Sequence, residues 1–212
     1  MARQFAIPVR YEEGRFFSSL VPEGGHQGIA ADLSPFSYTP LSEILAASKD
    51  LLLFLDEVVD PRNLGAILRT AEAAGVDGVI LTKDRSAPVS ALVEKTAAGA
   101  TAYLPICRIE NLVRTVETVK KAGFWIVGLA PDAQQSLYEL DWPEKIALLL
   151  GGEGKGLRAL SRQHCDFLVS LPMLGKIRSL NVSVAGAVAL YEAVRRKAER
   201  RESTVRNQNR VS

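Results

Sequence analysis

Two stretches of this chain place five apolar residues in succession, Leu51–Leu55 and Ile146–Leu150. A strand with one wet face alternates apolar and polar residues. A run that is apolar at every position suits a strand covered on both faces, as in a parallel sheet. Shorter runs follow at 79–81, 102–106, 124–127 and 167–171. Between them lie helical patterns near 61–74, 88–98, 109–122 and 156–163, and a last helix is expected from about 181 to 200. Strand–helix alternation of this kind predicts an α/β domain built on a parallel sheet. No run approaches the roughly 18 apolar residues that a membrane helix needs, so no membrane partner is expected.

The first 40 residues differ from the rest. They hold four of the ten prolines (Pro8, Pro22, Pro35, Pro40) and six of the fourteen aromatics, with Arg3, Arg10 and Arg15 interleaved. Residues 1–45 therefore read as an extended, partly strand-like arm. Such an arm suits packing on the body or on a second subunit, and its pattern also suits stacking on single-stranded RNA. At the other end, seven basic residues between Arg195 and Arg210 face Glu199 and Glu202. That end carries +5 of a net +2, leaving −3 on the body. A basic tail on a mildly acidic body suits a polyanion, though a solvated helix end has the same composition. The opening residues lack an apolar signal core, which points to a cytoplasmic protein. Cys107, Cys165, His26 and His164 have no paired ligand spacing, so neither a metal nor a disulfide is expected.

Three segments have patterns suited to chemistry. In the first, Asp60 can cap a helix that begins at Pro61. Leu64, Ile67, Leu68, Ala71 and Gly75 share one face and should be buried, while Arg62, Gly65 and Arg69 share the opposite side. Two arginines beside a glycine suit a phosphate or ribose, or simply a solvated face. The second segment is Gly151, Gly152, Glu153, Gly154, Lys155 and Gly156, between a strand and a helix. Glycines there let main chain approach a ligand. It matches neither the Walker A frame nor G-x-G-x-x-G, and Glu153 is better suited to hydroxyls, amines or a cation than to a phosphate. In the third, a strand ends at Pro172 and Ser179 or Asn181 can cap the last helix. Capping does not explain why Ser179, Asn181 and Ser183 alternate with apolar residues.

In order and spacing these segments resemble the signature motifs of the SpoU branch of the SPOUT methyltransferases, the TrmH-like RNA ribose 2′-O-methyltransferases. The pattern N-x-G-x-x-x-R-[TNS]-A is met from Asn63 to Ala71. G-x-E-x-x-G-[LIVM] is met from Gly151 to Leu157. [IL]-P-M-x-G-x-x-x-S-L-N-V-S-V-A is met from Leu171 to Ala185. The resemblance spans about residues 50–198. His26, Gln27 and Gly28 are similar to the segment that joins the family's N-terminal RNA-binding domain to its catalytic domain. Only 25 residues precede them, so that accessory domain is expected to be absent or eroded.

The resemblance implies a SPOUT catalytic domain over 46–198 with a deep trefoil knot near its C-terminus, a basic tail over 199–212 and an obligate homodimer. It also implies S-adenosylmethionine as cofactor. Periodicity cannot reveal a knot, because true knots break the ordinary connection rules. By motif position the cofactor rests on main chain around Leu129, Ala130, Gly151, Leu171, Leu180 and Asn181. Arg69 stands beside the reacting 2′-hydroxyl. Asn63 orients Arg69 or the ribose, Glu153 holds Arg69 or Asn181 as a buried partner, and Ser179 and Asn181 close the pocket. Arg62, Arg195, Arg196, Arg200 and Arg201 are the expected RNA contacts, with Lys83, Arg85, Lys155 and Arg158 adding local charge. Asp84, Arg85, Ser86 and Ala87, with the segment at His26, are closer to the ribosomal-RNA guanosine enzymes than to the tRNA ones. The alternatives are a tRNA ribose methyltransferase and a catalytically silent RNA-binding assembly factor.

Overall fold

In the computed structural model, the described residues are 4, 7–20, 28–32, 34–153 and 156–211, with side chains as far as 203. Arg3, His26, Gln27, Gly154 and Lys155 lie outside them. The chain divides into two compact units, Met1–Phe36 and Ser37–Ser212. In the first, Gly14–Leu20 is a helix (α1) where an extended arm is expected. The prolines explain this: they stand at 8 and 22, leaving a proline-free stretch long enough for two turns. Ser18 Oγ donates back to the Gly14 carbonyl at 3.2 Å, as hydroxyls do on an exposed helix.

The second unit opens with α2 (Leu41–Ala47) and so takes in residues 37–45, placed above with the arm. Ile44 is the reason, since its side chain is buried against Gly78, where a Cβ would stand 2.4 Å from Ile44 Cγ2. There follow β1 (Leu51–Leu55), α3 (Pro61–Ala73), β2 (Gly78–Thr82), α4 (Ala91–Ala97), β3 (Ile106–Ile109), α5 (Leu112–Lys121) and β4 (Trp125–Leu129). Then come β5 (Gln135–Ser136), β6 (Ile146–Leu150), α6 (Ala159–Gln163), β7 (Phe167–Ser170) and α7 (Val182–Val211). The strands form one seven-stranded sheet in the order β3-β2-β1-β6-β4-β7-β5, with every pairing parallel. β1, β2 and β6 are buried at every residue, as their unbroken apolar runs require.

Three expectations change. The strand sought at 102–106 begins only at Ile106. Ala98 and Gly99 both take left-handed backbone and lead into a 3-10 turn at Ala100–Ala102, and Pro105 then lacks an N–H for a sheet ladder. Gly75 is exposed rather than buried, because α3 ends at Ala73 and Gly75 turns out of it at φ +70°. Gly65 is buried: a Cβ there would lie 2.6 Å from Thr96 Cβ and 2.8 Å from the Val93 carbonyl oxygen. It lets α3 approach α4, not a ligand.

The order of the strands positions the site. β1, β2 and β3 step outward in one direction, and β4 starts again on the other side. β6 then enters between β1 and β4. In an open parallel sheet, ligands bind beyond the carboxyl ends of the strands where the direction of winding reverses.

Candidate active site

At that reversal lies a cleft of about 540 Å³, a size typical of small-molecule sites. Its floor comes from the carboxyl ends of β4 (Leu129, Ala130), β6 (Leu150, Gly151) and β7 (Leu171). Leu180, Val182 and Ala185 add apolar surface from the start of α7. The rim is polar: Asp60, Asn63, Glu153, Arg178, Ser179 and Asn181. All six residues expected to rest against a cofactor line this one cleft. Sequence reasoning passed over Arg178, Val182 and Ala185 as lining residues. The apolar positions of the last helix's first turn are the signal that would have found the latter two.

Helix capping fixes the rim. Asp60 Oδ1 accepts from the Arg62 backbone N–H at 2.8 Å and sets the start of α3. Asn181 caps α7: its Oδ1 accepts from the Ser183 backbone N–H at 2.8 Å and from Ser183 Oγ at 2.6 Å. The Asn181 Nδ2 donates to Asn63 Oδ1 at 3.0 Å, and Asn63 Nδ2 donates in turn to Glu153 Oε1. One hydrogen-bonded chain thus joins the three segments, with Glu153 as its charged terminus. Glu153 is exposed, and its partner is Asn63 rather than Arg69 or Asn181.

Geometry explains why Arg69 is elsewhere. Six residues along a helix mean about 9 Å of rise and a turn of roughly 240° from Asn63. Arg69 is exposed, lies outside the cleft lining and makes no side-chain hydrogen bond or ion pair to a described residue. Arg62 is likewise exposed and outside the lining.

The second-segment glycines line the cleft and also permit close main-chain packing. A Cβ on Gly151 would lie 2.2 Å from the Gly156 carbonyl carbon, and one on Gly152 would lie 2.3 Å from the Glu57 carbonyl oxygen. Ser179 and Leu180 sit on an exposed loop at the mouth of the cleft.

Several of the expected RNA-binding cations have partners within the chain. Arg195 and Arg196 both donate to buried Glu192, at 2.7–2.8 Å, and Arg196 also donates to the Tyr138 carbonyl. Arg200 stands 3.8 Å from Asp141, whereas Arg201 is exposed. Lys83 pairs with Glu110, Arg85 with Glu57, and Arg158 with Asp56. Burial pushes the Cys165 thiol up to about 12 and raises Cys107 as well, so neither is a ready nucleophile. Among the described residues, no group of three His, Cys, Asp or Glu is placed to hold a metal ion, and no helix is long and apolar enough to cross a membrane.

The cleft thus lies at the reversal point of a parallel sheet and is closed by two amides and a carboxylate from three separated segments. The chain belongs to the SpoU rRNA Methylase family, whose sequence model matches residues 50–191. A 23S rRNA (guanosine-2′-O-)-methyltransferase RlmB from Pseudomonas putida is 45% identical over 206 residues, covering 95% of this chain and 83% of the relative. The RlmB of Pseudomonas syringae pv. tomato is 48% identical over 207 residues, covering 95% and 82%. Among solved structures, the SpoU methyltransferase AviRb from Streptomyces viridochromogenes in complex with AdoMet matches with a TM-score of 0.71 and 30% identity. That match covers 77% of this chain and 66% of AviRb. The TrmH/SpoU tRNA modifying enzyme of A. aeolicus matches at a TM-score of 0.66 and 31% identity, covering 74% and 81%.

Proposed function

We propose that this chain transfers a methyl group from S-adenosylmethionine to a ribose 2′-hydroxyl of ribosomal RNA in the cytoplasm, working as a homodimer with a trefoil-knotted cofactor site. The observation that carries the reading is the chain Ser183–Asn181–Asn63–Glu153 across the mouth of an apolar, main-chain-lined cleft. The donor set fits the cofactor: apolar walls at Leu129, Ala130, Leu171 and Leu180 suit an adenine ring, and the Glu153 and Asp60 carboxylates suit a sulfonium or ammonium. Relatives named for 2′-O-methylation of 23S rRNA support ribosomal RNA over tRNA as substrate. Membership of the SpoU family, whose model matches residues 50–191, supports the knotted path that the motif resemblance implies.

S-adenosylmethionine supplies an already electrophilic methyl on its sulfonium, so the protein's task is alignment and charge stabilisation. Leu129, Ala130, Gly151, Leu171 and Leu180 hold the cofactor, and Asn181 anchors the loop above it. Asn63, held at both ends of its amide, offers a fixed polar edge to the ribose. Arg69 stabilises the developing 2′-alkoxide electrostatically; a guanidinium holds its protons too tightly to serve as a base. Because Arg69 stands outside its own subunit's cleft, a second copy must deliver it. Exposed apolar residues on α7, Val184 at 48% and Tyr191 at 51%, support such an interface.

Titration calorimetry with S-adenosylmethionine, followed by transfer of labelled methyl to ribosomal RNA, tests the reading. Binding accompanied by transfer is expected. Binding without transfer would identify a silent RNA-binding relative.

A further inference from the structure

The loop that carries Glu153 is tied down from beneath by residues outside all three signature segments. Asp56, directly after β1, is 1% exposed, and its carboxylate accepts from Arg158 Nε at 3.0 Å, Arg158 Nη2 at 2.6 Å and Ser161 Oγ at 2.5 Å. Two parallel bonds from a guanidinium to one carboxylate fix direction as well as distance. Next along the chain, Glu57 adopts left-handed backbone at φ +61°, rare for a residue with a side chain. That turn sets the Glu57 carbonyl against Gly152, where any Cβ would collide. The Glu57 carboxylate reaches Arg158 Nη1 at 3.4 Å and Arg85 Nη1 at 3.1 Å. The end of β1 therefore grips the loop after β6 at two points, Gly152 and Arg158, on either side of Glu153.

We infer that Asp56 and Arg158 are positioning residues: their clamp holds the Gly151–Arg158 segment so that Glu153 meets Asn63 at the cleft mouth. The inference rests on the activity proposed above. Neither residue touches substrate or cofactor; the clamp acts through Glu153. Its purpose follows from the loop itself: among its described residues Leu157 is anchored in the core, but it stands four residues past the exposed Glu153, which sits between glycines in the sequence and needs a further tie to fix its carboxylate.

Single-turnover transfer rates and RNA KM for Arg158→Lys, in the wild-type and Glu153→Gln backgrounds, test it. Lysine keeps the charge and loses the fork. In the wild-type background the rate should fall about tenfold with KM unchanged, because small misplacements near the chemistry are costly. In the Glu153→Gln background the further loss should be under about twofold, the non-additivity expected of residues acting through one another. Equal losses in both backgrounds would overturn the clamp. If Arg158→Lys does not fold, Asp56→Asn enters the same cycle. Amide hydrogen exchange gives a readout independent of activity. Gly152 and Leu157 should exchange at least about tenfold faster in the variant while β1 and β6 keep their rates. Unchanged loop exchange would contradict the clamp, whereas a wild type without transfer would defeat the proposed function and leave this result standing.

Discussion

Asn63 is where segments about 90 and 118 residues away along the chain meet, its amide accepting from Asn181 and donating to Glu153. Removing it takes the partner from Asn181 Nδ2 and from the Glu153 carboxylate together. A hydrogen bond to a charged group is worth roughly 1.5–3 kcal/mol, so Asn63→Ala should lower kcat by about one to two orders of magnitude. Steady-state kinetics on ribosomal RNA reads this, and a rate within about threefold of wild type would contradict it. Arg69→Ala should do more to the rate and less to binding. Loss of a charge that acts mainly in the transition state costs about 2.7–4 kcal/mol, or roughly 10²–10³ in rate. Cofactor Kd by calorimetry should stay within about threefold. Retention of more than about a tenth of wild-type activity would remove Arg69 from the mechanism. The motif resemblance grouped Asn63, Glu153, Ser179 and Asn181, and all four line the cleft. Gly65 was misread: spacing shows where it points, but not that Thr96 stands opposite.

At the scale of elements, α3 and α7 frame the cleft, and each yields a test. Gly65→Val would force a side chain between α3 and α4 where Thr96 Cβ already stands 2.6 Å from the ideal Cβ position. Overpacking of this kind costs about 1–3 kcal/mol, so thermal unfolding should show a clearly lowered Tm; an unchanged Tm would mean the helices simply part. On α7, hydrogen bonds from Arg195 and then Arg196 hold the Glu192 carboxyl below its ordinary value of 4.5. A lowered carboxyl pKa stabilises the fold above pH 4.5 and loses that contribution as pH falls through the depressed value. Glu192→Gln should therefore lose less stability than wild type on acidification from about pH 5 to pH 3, followed by denaturant melts. Parallel pH profiles would contradict the pairing. The fully buried strands were legible from their apolar runs. The two-residue β5 carries no pattern long enough to read, and α1 was hidden because it buries no apolar face that would mark it.

For the whole molecule, the role proposed for Arg69, which lies outside its own cleft, requires an assembly of two. Light scattering at micromolar concentration should report a dimer, and a monomer would contradict the composite site. Residue patterns cannot reveal a knot, because a knot depends on how finished elements thread; only the motif resemblance points to one. RNA affinity is also a whole-molecule property. Arg195, Arg196, Lys83, Arg85 and Arg158 are each paired within the chain, so less charge is available for phosphates than the composition suggests. Truncating 199–212 removes four arginines and two glutamates, a net +2. It should flatten the salt dependence of RNA binding by roughly one to two units of slope; an unchanged slope would move recognition to Arg10 and Arg15. The most direct measurement is mapping 2′-O-methyl groups in unmodified ribosomal RNA after incubation with the purified chain and S-adenosylmethionine, beside the Asn63→Ala variant. A new 2′-O-methyl nucleotide made by the wild type and lost with Asn63→Ala is the predicted result; methylation on a base, or none despite bound cofactor, would contradict the account.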